Sequence, residues 1–282
     1  PDTSSINKCV LDQARNINSF VLAVDGEFDA GNAFYIKGKN AAGEAVKCQG
    51  KLGDVTDFVV ETQSAATVTL TKQSGSGSFR NLTITHASGD ITLGAAASLS
   101  GNLTVTAGEL NTDSSNNYAL TVTGDMLVAA GGTFTGNSSA IIMRSLELQG
   151  AATFSAPDAS GSCTINGRKN GTSRCIDVGN NDNNFSGNGG TLTFTSANGG
   201  DLQGFEHLSA ADELNNLTIN VSDGSGTFYL MGDTTVTGNL TITAGTLTTN
   251  NGSADKNLTV TGDCVVTGTL TLNDSTVAVG AL

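Results

Sequence analysis

Apolar residues alternate with threonine in several short segments of this chain. Examples are Leu82-Thr83-Ile84-Thr85, Leu103-Thr104-Val105-Thr106, Leu120-Thr121-Val122-Thr123, Leu240-Thr241-Ile242-Thr243 and Leu258-Thr259-Val260-Thr261. A period of two puts the aliphatic side chains on one side of a strand and the threonines on the other. Gly or Asn at the segment ends supplies the left-handed conformations that tight corners need. The pattern therefore predicts short strands with Leu82, Ile84, Leu103, Val105, Leu120, Val122, Leu240, Ile242, Leu258 and Val260 buried and their Thr partners turned outward.

The segments recur in order. Gly101-Asn102-Leu103-Thr104-Val105-Thr106-Ala107-Gly108 returns as Gly238-Asn239-Leu240-Thr241-Ile242-Thr243-Ala244-Gly245. Leu82 corresponds to Leu217, Leu120 to Leu258 and Phe134 to Leu270, at offsets of 135 (217−82), 138 (258−120) and 136 (270−134) residues. Four echoes in one order indicate a duplicated module. Within the modules the segments follow one another after 21 (103−82), 17 (120−103), 23 (240−217) and 18 (258−240) residues. A period near twenty built of strands and turns predicts an all-β fold, a parallel β-helix or β-solenoid, with β-sandwich domains as the structural rival. Asn81, Asn102, Asn216, Asn239 and Asn257 each precede a Leu, which suggests an Asn ladder from coil to coil. On this reading their N-x-[ST] sequons are by-products of the repeat.

Texture divides the chain into four parts. Residues 1–62 read as a small β-rich head that caps or docks the solenoid, with a short helix over Ile6–Ile17 (Ile6, Val10, Leu11, Ala14 and Ile17) followed by strands at Phe20–Val24, Ala33–Lys37, Glu44–Cys48 and Asp57–Glu61. Residues 63–155 form the first solenoid module and 211–282 the second. Residues 156–210 read as an irregular insertion or degenerate coils.

Composition narrows the function classes. With 282 residues, 36 Gly, 2 Pro, 5% aromatic residues and no Trp, the chain predicts a narrow core of small side chains. A charged fraction of 14% with periodic apolar residues argues against disorder. A formal net charge of −13 argues against a nucleic-acid groove, which needs cations to neutralise phosphates. No apolar run approaches the roughly 20 residues of a membrane span. The start, Pro1-Asp2-Thr3-Ser4-Ser5, has neither a basic nor an apolar leader segment, and fits either removal of an initiator Met or earlier cleavage of a leader.

Candidate chemistry clusters in the irregular stretch. Arg168, Lys169, Arg174, Asn181 and Asp182 form a candidate binding loop, the alternative being an ordinary broad loop. Of the five cysteines, Cys163 and Cys175 flank a turn-rich segment and are the pair placed for a disulfide in an oxidising compartment; two unpaired thiols in a reducing one remain open. With no CxxC motif, and with His86 and His207 remote from any Cys, no metal site or cofactor is expected. A glycan depolymerase would need two facing carboxylates, and Asp182, Asp201, Glu206, Asp212 and Glu213 are candidates by position alone. The scarcity of Tyr and Trp weighs against a sugar-stacking groove, and no GxSxG, HExxH, P-loop or dinucleotide motif occurs. The chain therefore reads as a non-enzyme.

Residues 81–134 and 216–272, with their NLTI and GNLTIT-type runs, resemble the β-solenoid segments of phage virion proteins and bacterial surface adhesins. That resemblance implies a solenoid exposed outside the host cell, often trimeric in phage fibres and spikes, and a role in attachment. The resulting expectation is a structural virion protein (fibre, spike or decoration), self-associating as a homotrimer and docking on other virion or surface proteins. A host-surface glycan is a further partner on this reading; nucleic acid and a membrane span are not. Bacterial surface adhesin, glycan depolymerase and, from the pairs Thr83/Thr85, Thr104/Thr106, Thr121/Thr123, Thr241/Thr243 and Thr259/Thr261, ice-binding protein are the alternatives. Spacings of 17 to 23 residues are not expected to hold those pairs on one flat face.

Overall fold

Short strands with one apolar side can be satisfied by stacking, each coil covering the backbone edge of the one before it. The computed structural model describes residues 8–10, 15–22, 27–29, 33–52, 56–62, 64–71, 79–179, 184–205, 214–250, 252 and 254–281. Every regular element among them is a strand, and the strands pair in parallel as a β-solenoid.

The chain visits three faces in turn. On face one the outward file runs Tyr35, Val59, Thr83, Thr104, Leu127, Glu147, Asp177 and Gln203, and pairing continues through Thr227–Leu230, Thr246–Thr248 and Thr269–Thr271. Face two stacks Phe20–Leu22, Glu44–Cys48 and Ala66–Leu70, and then the inward residues Ile91, Leu110, Phe134, Phe154 and Phe185. Face three carries the file Ser98, Thr121, Ile142, Thr164, Thr193, Thr218, Thr241 and Val265. Leu120–Val128 and Ala140–Leu148 bend around a corner and serve two faces each, and the longer Phe79–Leu93 pairs on all three.

The ten aliphatic residues predicted to be buried are all in the core. The core is bulkier than the composition suggested. Ten of the 11 Phe (Phe20, Phe34, Phe58, Phe79, Phe134, Phe154, Phe185, Phe194, Phe205 and Phe228) are buried. Because stacking places like on like, they form files: Phe134, Phe154 and Phe185 stack at centroid separations of 5.3 and 5.7 Å, and Phe20, Phe34 and Phe58 make a second group at 5.2 to 5.7 Å. Offset rings at this range add attraction beyond the area they bury.

The Asn residues before the strands work differently from a ladder of stacked amides. Asn102 N–H donates to Asn81 Oδ1 (2.7 Å), and Asp125 N–H donates to Asn102 Oδ1 (2.9 Å). In the second module Asn239 N–H donates to Asn216 Oδ1 and Asp263 N–H to Asn239 Oδ1, each at 2.9 Å. Each side chain thus caps a backbone donor of the next coil, which a corner would otherwise leave unpaired. The preceding glycine makes room. A Cβ on Gly101 would overlap Asn81 Oδ1 and lie 2.7 Å from the Arg80 carbonyl oxygen, and one on Gly124 would overlap Asn102 Oδ1. The recurring Gly-Asn and Gly-Asp dipeptides are the sequence mark of that corner.

The duplication is real in three dimensions, but it is turned. Leu82 and Leu103 lie on face one, whereas Leu217 and Leu240 lie on face three; Phe134 is on face two and Leu270 on face one. The offset is therefore not a whole number of coils, and superposing the modules requires rotation by one face. Detail survives the rotation. Ser139 Oγ donates to Thr112 Oγ1 (2.7 Å), which donates to the Gly136 carbonyl (2.8 Å); Ser275 Oγ donates to Thr249 Oγ1 (2.6 Å), which donates to the Leu272 carbonyl (2.7 Å). Asn137 and Asn273, both left-handed at φ 48° and 49°, close the two turns.

Two expectations change. Coil repeats are 21 (103−82), 23 (126−103), 20 (146−126) and 30 (176−146) residues along face one, whereas the 17- and 18-residue spacings are steps to another face. The helix over Ile6–Ile17 is not formed where it is described: Lys8–Val10 and Arg15–Ile17 are strands, because their backbones pair into the stack, while Ile6, Leu11 and Ala14 lie outside the described residues. The parallel pairing of face one continues across residue 62 and through 156–205.

Substituting Gly101→Ala should destabilise the protein by about 1–3 kcal/mol through overpacking. In an Asn81→Ala background its additional cost should shrink but persist, because the Arg80 carbonyl remains close. A double-mutant cycle from denaturant melts reads that coupling.

Candidate functional site

The segment 166–174 is a loop because Gly167 and Gly171, with polar neighbours, interrupt the alternating pattern between Ser162–Ile165 and Arg174–Asp177. It lengthens its coil to 30 residues (176−146) and carries the three basic candidates. Each is engaged within the chain. Arg168 Nε donates to the Gly199 carbonyl (2.9 Å), and its terminal nitrogen donates to the Asn198 carbonyl. Lys169 pairs with Glu147, and Arg174 pairs with Asp177 at 2.5 Å. Asn170 N–H reaches Asp125 Oδ2 at 3.3 Å, and Asp125 also takes two hydrogen bonds from Arg144 (2.9 and 2.8 Å) and one from Ser145 Oγ (2.7 Å). The structure thus uses Arg168 and Lys169 as fasteners that hold the loop against neighbouring coils, while Arg174 pairs within its own strand. Asn181 and Asp182 lie outside the described residues.

Electrostatics agree with fastening. Burial raises the Asp125 carboxyl, but the hydrogen bonds from Arg144, Ser145 and the Asn170 N–H outweigh it and hold the group below its ordinary value. Glu147 behaves alike, with burial opposed by hydrogen bonds from Lys169 and Gln149 and by the charges of Lys169 and Arg174. Sequence reasoning missed Asp125, Arg144 and Glu147. All three lie inside strands, Leu120–Val128 and Ala140–Leu148, and only the coil register places them beneath the loop.

The disulfide is not formed. Cys163 and Cys175 are free thiols buried in the core. Cys163 belongs to the inward column of face three, between Ile141 and Leu192, so it occupies a Leu position of the repeat. Cys175 is buried beside the loop and donates to the Gly199 carbonyl at 3.2 Å. Burial pushes both thiols up to about 12, as it does for Cys48, so none is a ready nucleophile near neutrality.

Of the depolymerase candidates Asp201 is described, and it accepts a hydrogen bond from Ser173; Asp182, Glu206, Asp212 and Glu213 lie outside the described residues, as does His207. Among the described residues no group of three or more His, Cys, Asp or Glu is placed to hold a metal ion, and no helix is long and apolar enough to cross a membrane. An open cavity of about 330 Å³ lies between Leu70, Phe79, Ala97 and Thr121, and among the described residues its lining holds no titratable group. The Thr pairs divide among faces: Thr83 and Thr104 on face one, Thr121 and Thr241 on face three, and Thr259 on the sheet of Thr234–Val236 and Val277–Ala281. Comparison of the chain with protein-family models, with curated proteins and with solved structures gives no match.

Two predictions follow from this chemistry. In the native protein at neutral pH, Cys163 and Cys175 should resist alkylation, and in denaturant without reductant both should react, as peptide mass spectrometry will read. For the loop, a lowered carboxyl stabilises the fold above its ordinary pKa, and that contribution disappears as pH falls through the lowered one. The melting temperature should hold from neutrality to about pH 5 and fall below about pH 4, within the carboxylate range. Asp125→Asn should lower it at neutrality and flatten the acid limb.

Proposed function

We propose that this chain is a structural element of a phage virion, a fibre, spike or decoration protein whose solenoid forms a rigid shaft for attachment. The observation that carries the reading is the continuous stack. Face one passes through eleven successive parallel pairings from Asn16 to Thr271. At about 4.8 Å per pairing this makes a rod about 50 Å long. A repeated hydrogen-bonded spine resists bending, which suits a spacer better than a pocket enzyme.

Other features support the same reading. The loop that offered itself as a binding site spends its cations on internal contacts. Buried Phe leaves the outer surface with few rings on which a sugar would stack. The net charge of −13 opposes random sticking between finished assemblies. On this reading the protein acts outside the cell, as a homotrimer docked on other virion proteins. A bacterial surface adhesin uses the same physical device and differs in what anchors the shaft.

Electron microscopy of the native assembly, labelled with antibody against the chain, tests the reading. Rods attached at one end to phage particles are expected. Label confined to bacterial surfaces would transfer the assignment to the adhesin, and a compact, unattached species would overturn the shaft.

A further inference from the structure

The three faces differ in charge. The outward file of face one includes the ion-paired Glu147 and Asp177, with Lys169 and Arg174 beside them, and that of face two includes Lys47. On face three the central file is Ser98, Thr121, Ile142, Thr164, Thr193, Thr218, Thr241 and Val265: eight positions without a charge, seven of them β-branched. The flanking outward positions, Ala119, Ala140, Ser162, Thr191, Asn216 and Asn239 on one side and Thr123, Asn166, Thr195, Asn220 and Thr243 on the other, add none. Among the described residues charge enters at the margins, as Asp263 beside the last coil, Arg144, which is paired with Asp125, and Arg80 beside the first coil, which is paired with Asp57. Two of the four large hydrophobic residues exposed among the described residues, Ile142 (38%) and Val265 (53%), lie in this file.

We infer that face three is where a second copy of this chain docks. Like-charged chains repel wherever their surfaces carry the net charge, so a neutral strip is the place where two copies approach at least electrostatic cost. A file of β-branched side chains at one height is also stiff and ridged, and two such sheets interlock about 10 Å apart as in a sandwich. The size of the strip sets the strength. Seven pairing steps of about 4.8 Å and a width of four residues at about 3.3 Å give about 450 Å² per copy, or about 900 Å² for a pair. That is below the roughly 1,200 Å² of stable specific complexes, so a single such contact is reversible. The inference deepens the shaft reading by naming the surface through which shafts associate, and it rests on that reading for its biological setting.

Sedimentation velocity over a wide concentration range tests it. The intact chain is expected to associate reversibly. The double variant Thr193→Glu/Thr218→Glu places like charges in the middle of the strip and should weaken association at least tenfold, with circular dichroism and melting unchanged. Val265→Glu, at an exposed position in the last coil of the face, should act in the same direction should the central variant fail to fold. The control Thr83→Glu/Thr104→Glu adds the same charge to face one and should associate as the parent does. Association unaffected by either face-three variant overturns the assignment, as does a parent that stays monomeric throughout, including one whose neutral face instead arrests growing ice. The frictional ratio of the monomer reads the shaft separately: an elongated monomer keeps the shaft and discards the face, whereas a near-spherical one discards the shaft itself.

Discussion

At one corner of the coil, over 57–125 and again over 216–276, the chain turns away from its strand and presents a backbone N–H that is paired by a side chain and not by a neighbouring strand. In this protein an Asn or Asp side chain from the coil before reaches across and accepts it, as Asn81 does for Asn102 and Asn216 for Asn239. The bond is modest singly, about 1 kcal/mol net at most, because these corners are exposed and water competes for the donor. Its geometry also sets the register, because the accepting side chain fixes which residue of the next coil lies above it. The glycine requirement follows directly: the side chain occupies the space a Cβ would take at Gly101, Gly124, Gly238 and Gly262. Strand alternation, core files and loop placement all depend on that register.

Once register is fixed, the interior becomes columnar, and columns select by size and shape. Phe134 lies over Phe154 and Phe154 over Phe185, so a ring in one coil creates a slot that a ring in the next fills best. The same logic explains the thiols. Cys163 fills a position between Ile141 and Leu192 that the neighbouring coils give to aliphatic residues and the last coil gives to Cys264, and there a sulfhydryl behaves as a small apolar group with a strongly raised pKa. Cysteine spacing along the sequence suggested a bridge because it could not show that the residue belongs to a stacked column.

Much of the architecture was legible because stacking makes local and global preferences agree. Leu82 and Ile84 alternate with Thr in sequence for the reason that they alternate in space, and the Gly-Asn corners mark each turn. Three things were hidden. The apolar spacing around Val10 and Ile17 satisfied a helical period, but pairing with Glu27–Asp29 and Ala33–Ile36 decided for strand. The low aromatic fraction concealed that the Phe residues are gathered into files. The partners of the basic loop lie a coil or more away, so Lys169–Glu147 and Asn170–Asp125 could be found only after the coil length was known. Of the candidate site itself, position along the chain was legible and availability was not, since a cation in sequence carries no sign of the carboxylate beneath it.

The rotated duplication bears on what the solenoid is for. A scaffold that multiplies a binding motif gains avidity when the copies face the same way, as a flat ligand or a regular lattice requires. Here the best-matched copies, Thr104 and Thr241, stand on faces one and three, and Thr121 and Thr259 are likewise divided. The features that duplicate without loss are those that act on the next coil: the Asn corner, the Thr112–Ser139 and Thr249–Ser275 hydrogen bonds, and the left-handed Asn137 and Asn273. Because an internal contact works equally well on any face whereas a displayed one does not, this pattern of retention fits a module repeated for stacking. The neutral file of face three is assembled from coils of both modules and from those between them, so it arises from the register of the whole stack and not from copying of a motif.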